Sequence, residues 1–191
     1  MKKIILFVCL SLIISCTKEI TPTPAPAPAP TPTTIAIGNS YQGGIIAYIL
    51  QPGDIGYDSN VQHGIIAAPS DQGQAMWGCM GVLIAGADGT AIGSGNQNTI
   101  AIMNSCSTAV IAARLCGDLV LGGYSDWYLP SKDEIYKLYL NKVAIGFGPY
   151  SSYWSSTQIE GYTAVTLSSI YGDQSLANKI AIYYVRAVRA F

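Results

Sequence analysis

Six of the ten prolines fall at alternate positions from Pro22 to Pro32. Each holds φ at about −65° and lacks an amide hydrogen, so the stretch can join neither a helix interior nor a central strand. Residues 17–34 (TKEITPTPAPAPAPTPTT) are therefore expected to form an extended polyproline II stalk. At ~3.1 Å per residue its proline-rich part reaches on the order of 35 Å. This stretch divides the chain into a leader before it and a globular part, residues 35–191, after it.

The leader has its own pattern. Lys2 and Lys3 precede an apolar run from Ile4 to Ile14, and the small residue Ser15 precedes Cys16. The run is too short to cross ~30 Å of hydrocarbon as a helix. The expected reading is a secretory signal peptide over residues 1–15. The ending Ile13-Ile14-Ser15-Cys16 resembles a bacterial lipobox, in which the cysteine carries the lipid. Cys16 is accordingly the expected lipidation site, and the membrane, reached through that lipid, is the first expected partner. Thr17 carries no acidic retention signal, and Lys18-Glu19 resembles a surface-export signal. Lipid anchoring at the outer membrane is the expected location, with display on the outer or the inner leaflet left open.

Residues 35–191 carry 7 basic and 10 acidic residues, a formal charge of −3. Charged residues make up 11% of the chain, against a usual ~25%. Together with 20 glycines and 13 tyrosines, this excludes a disordered polyampholyte and a coiled coil. No basic field exists for nucleic acid, which is excluded as a partner. The polar surface must come from hydroxyls, amides and backbone, which suits hydrogen bonding to a neutral ligand.

Short apolar runs at 43–50 and 64–68 predict buried strands. Residues 85–98 are dense in Gly, Asn and Asp and predict an ordered loop. Helices are predicted over 98–105 and 108–121, the second from Ile111, Leu115 and Leu119 at four-residue spacing. Ser131-Lys132-Asp133-Glu134 matches a capping box and starts the clearest helix. Strands are predicted over 153–157, 162–170 and 179–190, with a turn at Gly172 between the last two. Strands, loop, helices, then strands argue for a single α+β domain with two or three helices and a mainly antiparallel sheet.

The segments GGIIAYIL, HGIIAA, AMWGC, IGSGNQNT, GYSDWYLPSKDEIYKLY, YWSST and VRAVRAF together resemble the Lcl C-terminal domain family. The resemblance covers nearly all of residues 40–191. LPSKDE also resembles, more distantly, the helix start of formylglycine-generating enzymes, which have a C-type-lectin-like fold. The resemblance implies a compact domain with adjacent termini, function carried on loops, and surface recognition of glycans or host matrix. The chain lacks the collagen-like repeat of the adhesin that names the family, and it has no basic cluster for sulfated polymers. It also has neither the Glu-Pro-Asn nor the Gln-Pro-Asp calcium motif of lectins, and no match to the enzymes' catalytic cysteine pair.

Candidate chemistry is sparse. The only histidine, His63, precedes a strand and is read as structural; alone it supports neither a zinc cluster nor a triad. Beyond the leader lie Cys79, Cys106 and Cys116. Three cysteines allow one disulfide plus a free thiol, or none. Cys106 and Cys116 flank a predicted helix whose rise of ~15 Å exceeds disulfide reach, unless that helix starts later. Cys79–Cys106 is the preferred bridge. Asp88, Thr90, Asn96 and Asn98 carry oxygens of the kind Ca²⁺ takes, but they equally make a plain turn. No cofactor is expected, with Ca²⁺ as the alternative. Asp126, Trp127 and Tyr128 form one aromatic cluster; Tyr150, Tyr153, Trp154 and Ser155 form another. Aromatic faces stack on sugar rings while nearby polar groups orient them. Asp126, Tyr128, Tyr150, Tyr153, Trp154 and Ser155 are the expected ligand-binding residues, with the tryptophans open to a core role. At least one of Arg186 and Arg189 is expected to pair with Asp126 or Glu134.

The expectation is a lipid-anchored binding module or adhesin, without catalysis, for a glycan or a matrix or protein ligand. The alternatives are a periplasmic or surface enzyme related to formylglycine-generating enzymes, or a structural envelope subunit. Lipidation gives a direct measurement. Metabolic palmitate labelling is expected to mark the wild-type chain and to be lost in Cys16→Ala.

Overall fold

The computed structural model describes residues 35–149 and 152–191. Cys16 and the stalk therefore lie outside the described residues, as does Tyr150. The architecture is α+β, with two sheets and four helices, one helix more than the upper expectation because of a four-residue turn.

The first sheet contains β1 (Ser40–Tyr41), β2 (Gly44–Ile49), β3 (Gly64–Ala67) and β9 (Val188–Ala190), in that spatial order and all antiparallel. The second contains β4 (Gln74–Ala75), β5 (Tyr153–Gln158), β6 (Thr163–Leu167), β7 (Gln174–Asn178) and β8 (Tyr183–Tyr184), in the order β4-β8-β5-β6-β7. Its one parallel contact joins β5 to β8. Helices α1 (Gly95–Ser105), α2 (Ala112–Gly117), α3 (Lys132–Leu140) and α4 (Lys142–Ile145) lie between β4 and β5 in sequence. The two ends of the domain meet, with the Tyr41 and Phe191 rings 5.2 Å apart, edge to face.

Four predicted elements change. The continuous strand expected over 179–190 is two strands in different sheets. Between them Val185–Ala187 runs beside residues 68–73: Gln72 N donates to Val185 O, Val185 N to Gly73 O, and Ala68 N to Ala187 O. Gly172 turns the chain at φ +83°, but into β7 rather than directly into the last strands. Helix α2 is shorter than 108–121 because Ile111 is extended and bridges Met76. Helix α1 starts three residues early, at Gly95, so the ordered loop ends there.

Two clusters form the core. The three tryptophans, Trp77, Trp127 and Trp154, all belong to the first, with Ile102, Ile111 and Val185. Each indole N–H finds a carbonyl: Trp77 donates to Ser155 O (3.0 Å), Trp154 to Ala75 O (2.9 Å) and Trp127 to Leu121 O (3.3 Å). That is what lets so large a side chain be buried at little polar cost. The second cluster packs Ile65, Ile135, Leu138, Phe147, Tyr153 and Leu167 between α3 and the sheets. Cys79 and Cys106 form a disulfide, with Cα atoms 5.7 Å apart, which ties the end of α1 to the segment after β4.

Both arginines of the C-terminal segment are buried. Arg186 Nε lies 2.5 Å from Asp71 Oδ1, and its other nitrogens donate to Ala68 O (2.9 Å) and Gly146 O (3.1 Å). Asp71 also accepts from Tyr153 Oη (2.8 Å). Arg189 pairs with Asp126 and packs over the Tyr124 ring at 3.9 Å. One of the two arginines, Arg189, thus pairs with Asp126 as expected, while Arg186 pairs with Asp71.

Removing one member of a buried ion pair strands the other charge. Asp71→Asn is expected to destabilise the domain by about 3 kcal/mol, read as the shift in a urea unfolding midpoint. A change within 0.5 kcal/mol, the ~0.5 kcal/mol typical of a surface substitution, would contradict this.

Candidate functional site

Of the sequence-predicted ligand residues that the structure describes, four lie in the core. Tyr128, Tyr153, Trp154 and Ser155 are all buried. Tyr128 Oη donates to Glu134 Oε1 (3.3 Å), and burial with the neighbouring carboxylate holds its phenol well above the usual tyrosine range. Ser155 Oγ donates to Val165 O (2.9 Å). These four are built into the core, and of them Tyr128 reaches the wall of a cavity. Trp154 takes the core role left open for it. Asp126 is half-exposed, but both its oxygens accept from Arg189, at 2.7 and 2.8 Å.

The other candidates are also committed to structure. His63 Nδ1 lies 3.0 Å from Phe191 O at the junction of β3 and the C-terminus. Asn98 clamps the loop proposed for calcium: Gly89 N donates to its Oδ1 (3.1 Å), and its Nδ2 donates to Gly89 O (2.7 Å) and Ser156 Oγ (3.1 Å). Among the described residues, no three His, Cys, Asp or Glu side chains gather in a metal-binding group. Cys116 is buried in apolar surroundings, which raises its thiol far above the usual range. Lys179 is buried too. Its Nζ donates to Val82 O (2.8 Å) and Gln158 Oε1 (2.9 Å) and sits 4.3 Å from the Trp77 ring centre, and burial pushes its pKa down to about 8.

Three of the accessible concavities lie around the loop 50–63 that joins β2 to β3; others lie beside α4 at Lys142 and Phe147 and beside β7. A groove of about 360 Å³ runs between Asp54 and Ile55 of this loop, Ile92, and the outward face of α3 at Asp133, Tyr136 and Lys137. A second hollow, about 340 Å³, lies within the loop itself, lined in part by Tyr57, Asp58 and Asn60. A third, about 200 Å³, lies beneath Ile55 against Ile65, Ile92 and Phe191, with Glu134 and Tyr128 at its wall.

The local sequence holds these walls in place. In α3 the capping box forms as predicted: Glu134 N donates to Ser131 Oγ (3.3 Å) and Ser131 N to Glu134 Oε2 (2.6 Å). Glu134 Oε1 further accepts from Gly93 N (2.9 Å), which fastens the 91–93 loop to the helix start. Burial raises the Glu134 carboxyl above the ordinary carboxylate range, against the pull of these donors. Gly95 makes this approach feasible, since a Cβ there would lie 2.2 Å from Glu134 Oε2. Asp54 organises the loop: Gln51 N (2.7 Å) and Tyr48 Oη (2.8 Å) both donate to its Oδ2. Burial and that hydrogen bond push the Tyr48 pKa up to about 12. Lys137 Nζ sits 4.7 Å over the Tyr48 ring.

The groove therefore offers two carboxylates, an ammonium, an exposed aromatic ring at Tyr136 and an apolar side chain at Ile55. That set can stack on a ring and hydrogen-bond a polyhydroxylated surface. Asp54, Ile55, Asp133, Tyr136 and Lys137 escaped the sequence reading, which followed aromatic clusters. One signal was available: the stretch 50–63 between two pairing strands exceeds an ordinary hairpin connection, and long ordered loops usually carry function. Another was Tyr136, which falls off the Ile135, Leu138, Tyr139 face.

Comparison with protein-family models gives no match, and comparison with curated proteins gives none. Among solved structures, the fold is similar to a fimbrial protein from Bacteroides ovatus ATCC 8483, at a TM-score of 0.53 and 14% identity. The alignment covers 76% of this chain and 43% of that one, so this chain spans less than half of its length. At that identity the likeness concerns the fold.

Arg189, by hydrogen bonding and charge, holds the Asp126 carboxyl below its ordinary value. A depressed folded value adds stability above the unfolded pKa of ~3.9, and this is lost as pH falls through the folded value. The unfolding midpoint of Asp126→Asn is expected to vary less than that of wild type below about pH 4. Parallel pH profiles would contradict the pairing.

Proposed function

We propose that the chain is a cell-envelope binding module of the adhesin kind that takes a neutral glycan in the groove between loop 50–63 and α3. The carrying observation is the groove itself, where the exposed Tyr136 ring stands beside Asp54, Asp133 and Lys137. Those groups match the chemistry of a sugar: an apolar ring face to stack and hydroxyls that both donate and accept. The low charge of residues 35–191 supports a neutral ligand rather than a sulfated one.

The fold likeness to a fimbrial protein supports a surface role. The leader supports lipid anchoring at Cys16 and placement at the outer membrane. The resemblance of the sequence segments to the Lcl C-terminal domain family is in keeping with recognition rather than catalysis. Among the described residues no helix is long and apolar enough to cross a membrane.

The test is a glycan array, with immobilised matrix proteins alongside, probed with the 35–191 fragment. Binding to neutral glycans is expected, weakened about tenfold or more by Tyr136→Ala, a loss of ~1.4 kcal/mol. Asp133→Asn is expected to weaken it as well. No glycan binding, or binding that Tyr136→Ala leaves unchanged, would overturn the assignment. Retention on matrix proteins alone would replace the glycan with a protein ligand.

A further inference from the structure

Single exposed apolar side chains are ordinary on a protein surface, whereas a cluster of them marks a contact. One end of the second sheet carries such a cluster. Three loops meet there: residues 79–83, which follow β4, the β5–β6 turn 159–162, and the β7–β8 turn 179–182. Gly81 N donates to Gly161 O (2.9 Å), Lys179 N to Tyr162 O (3.0 Å) and Lys179 Nζ to Val82 O (2.8 Å). From these loops Met80, Val82, Leu83, Tyr162, Ile180 and Ile182 are all exposed, Leu83 at 67%.

We infer that the three loops form a tip that enters the apolar layer of a zwitterionic lipid surface. The backbone favours lipid over a protein partner. Hydrocarbon offers no hydrogen-bonding group, so inserted backbone must be satisfied within the chain; a protein partner brings polar groups of its own. Here the amides of Gly81, Val82, Ile159, Glu160, Lys179 and Ala181 all donate to carbonyls of these loops or of the residue next to them. Ile180 N donates to Asn178 Oδ1 (3.1 Å).

Charge points the same way. The loops hold two charged residues, Glu160 and Lys179. Lys179 is withdrawn beneath the tip, fully buried, with its Nζ on Val82 O and Gln158 Oε1 and over the Trp77 ring. The charge left exposed is acidic, as is residues 35–191 as a whole, so an anionic surface would repel the tip and a zwitterionic one would not. Tyr162, with an apolar ring and a hydroxyl, has the chemistry of a side chain at headgroup level. The tip is also held in shape: the Cys79–Cys106 disulfide ties its first loop to α1, and Gln158 bonds both the amide and the carbonyl of Ile84. A lipid at Cys16, expected from the leader, keeps the chain at such a surface. The inference is independent of the groove at α3.

Bromine on acyl chains quenches tryptophan on contact, and the three native tryptophans are buried. The full-length chain is reconstituted from detergent into phosphatidylcholine vesicles with and without brominated chains. Leu83→Trp and Tyr162→Trp, both at exposed positions, are expected to lose most of their added emission in the brominated vesicles. The control Val143→Trp is expected to keep it. That position is 92% exposed on α4, which lies at the other end of β6, where Lys142 Nζ donates to Ser169 O (3.0 Å). Ile180→Asp, which sets a carboxylate among the inserted side chains, is expected to cut the quenching of Leu83→Trp about twofold or more. In intact cells, photoreactive benzoylphenylalanine in place of Leu83 is expected to attach to phospholipid. Leu83→Trp quenched no more than Val143→Trp, or quenching that Ile180→Asp leaves unchanged, would overturn the inference. So would the absence of a lipid adduct, or an adduct to protein, a second copy of this chain included.

Discussion

The fold turns on the buried guanidinium of Arg186. The chain crosses from the second sheet to the first between β8 and β9, and Arg186 sits in that crossing. It bonds Asp71 and Ala68 on the segment leaving β3, and Gly146 at the end of α4. Its guanidinium carbon lies 5.6 Å from the centre of the Phe147 ring. Asp71 then reaches Tyr153 at the start of β5. One cation thus joins both sheets and the helical layer. A buried charge of this kind adds little net stability, because its desolvation offsets the attraction. What it does is set register: any other placement of the crossing would leave an ion buried without its partner.

A second buried carboxyl group carries the same logic to the candidate site. Glu134 closes the capping box of α3 and also holds Gly93 and Tyr128. The helix start, the 91–93 loop and the core tyrosine therefore move as one body. Loop 50–63 lies against that body, braced from within by Asp54 through Gln51 and Tyr48. Rigid walls are what a shallow recognition groove needs, since ordering loops on binding subtracts from affinity. The carboxylate that fixes the wall is buried, while Asp133, one residue earlier, lines the groove.

The local elements were the most legible part. The capping box at Ser131 and Glu134, the β2 and β3 runs and the turn at Gly172 follow from backbone chemistry within a few residues. The Cys79–Cys106 bridge was only partly legible: the helix expected between Cys106 and Cys116 covers only Ala112–Gly117, so spacing did not exclude that pair, and Cys79–Cys116 stayed open as well. Strand β7 was not, since QSLAN is half polar and an edge strand needs no apolar alternation. Nor was the break in 179–190, where a run of Tyr, Val and Ala reads as one strand although its halves bond to different sheets.

The sequence alone determined the α+β class, the proline-rich stretch over residues 22–32 and the low charge of residues 35–191. Each follows from composition or short-range pattern. Only the tertiary structure decided which aromatic residues are core. Trp154, Tyr153 and Tyr128 find carbonyl or carboxylate partners at distant positions in the chain, so they can be buried, and exposure passes to Tyr136 and the loop residues. An aromatic residue in sequence is equally fit for a core or a groove. Whether its polar atom meets a protein partner or water depends on contacts that cross the whole chain.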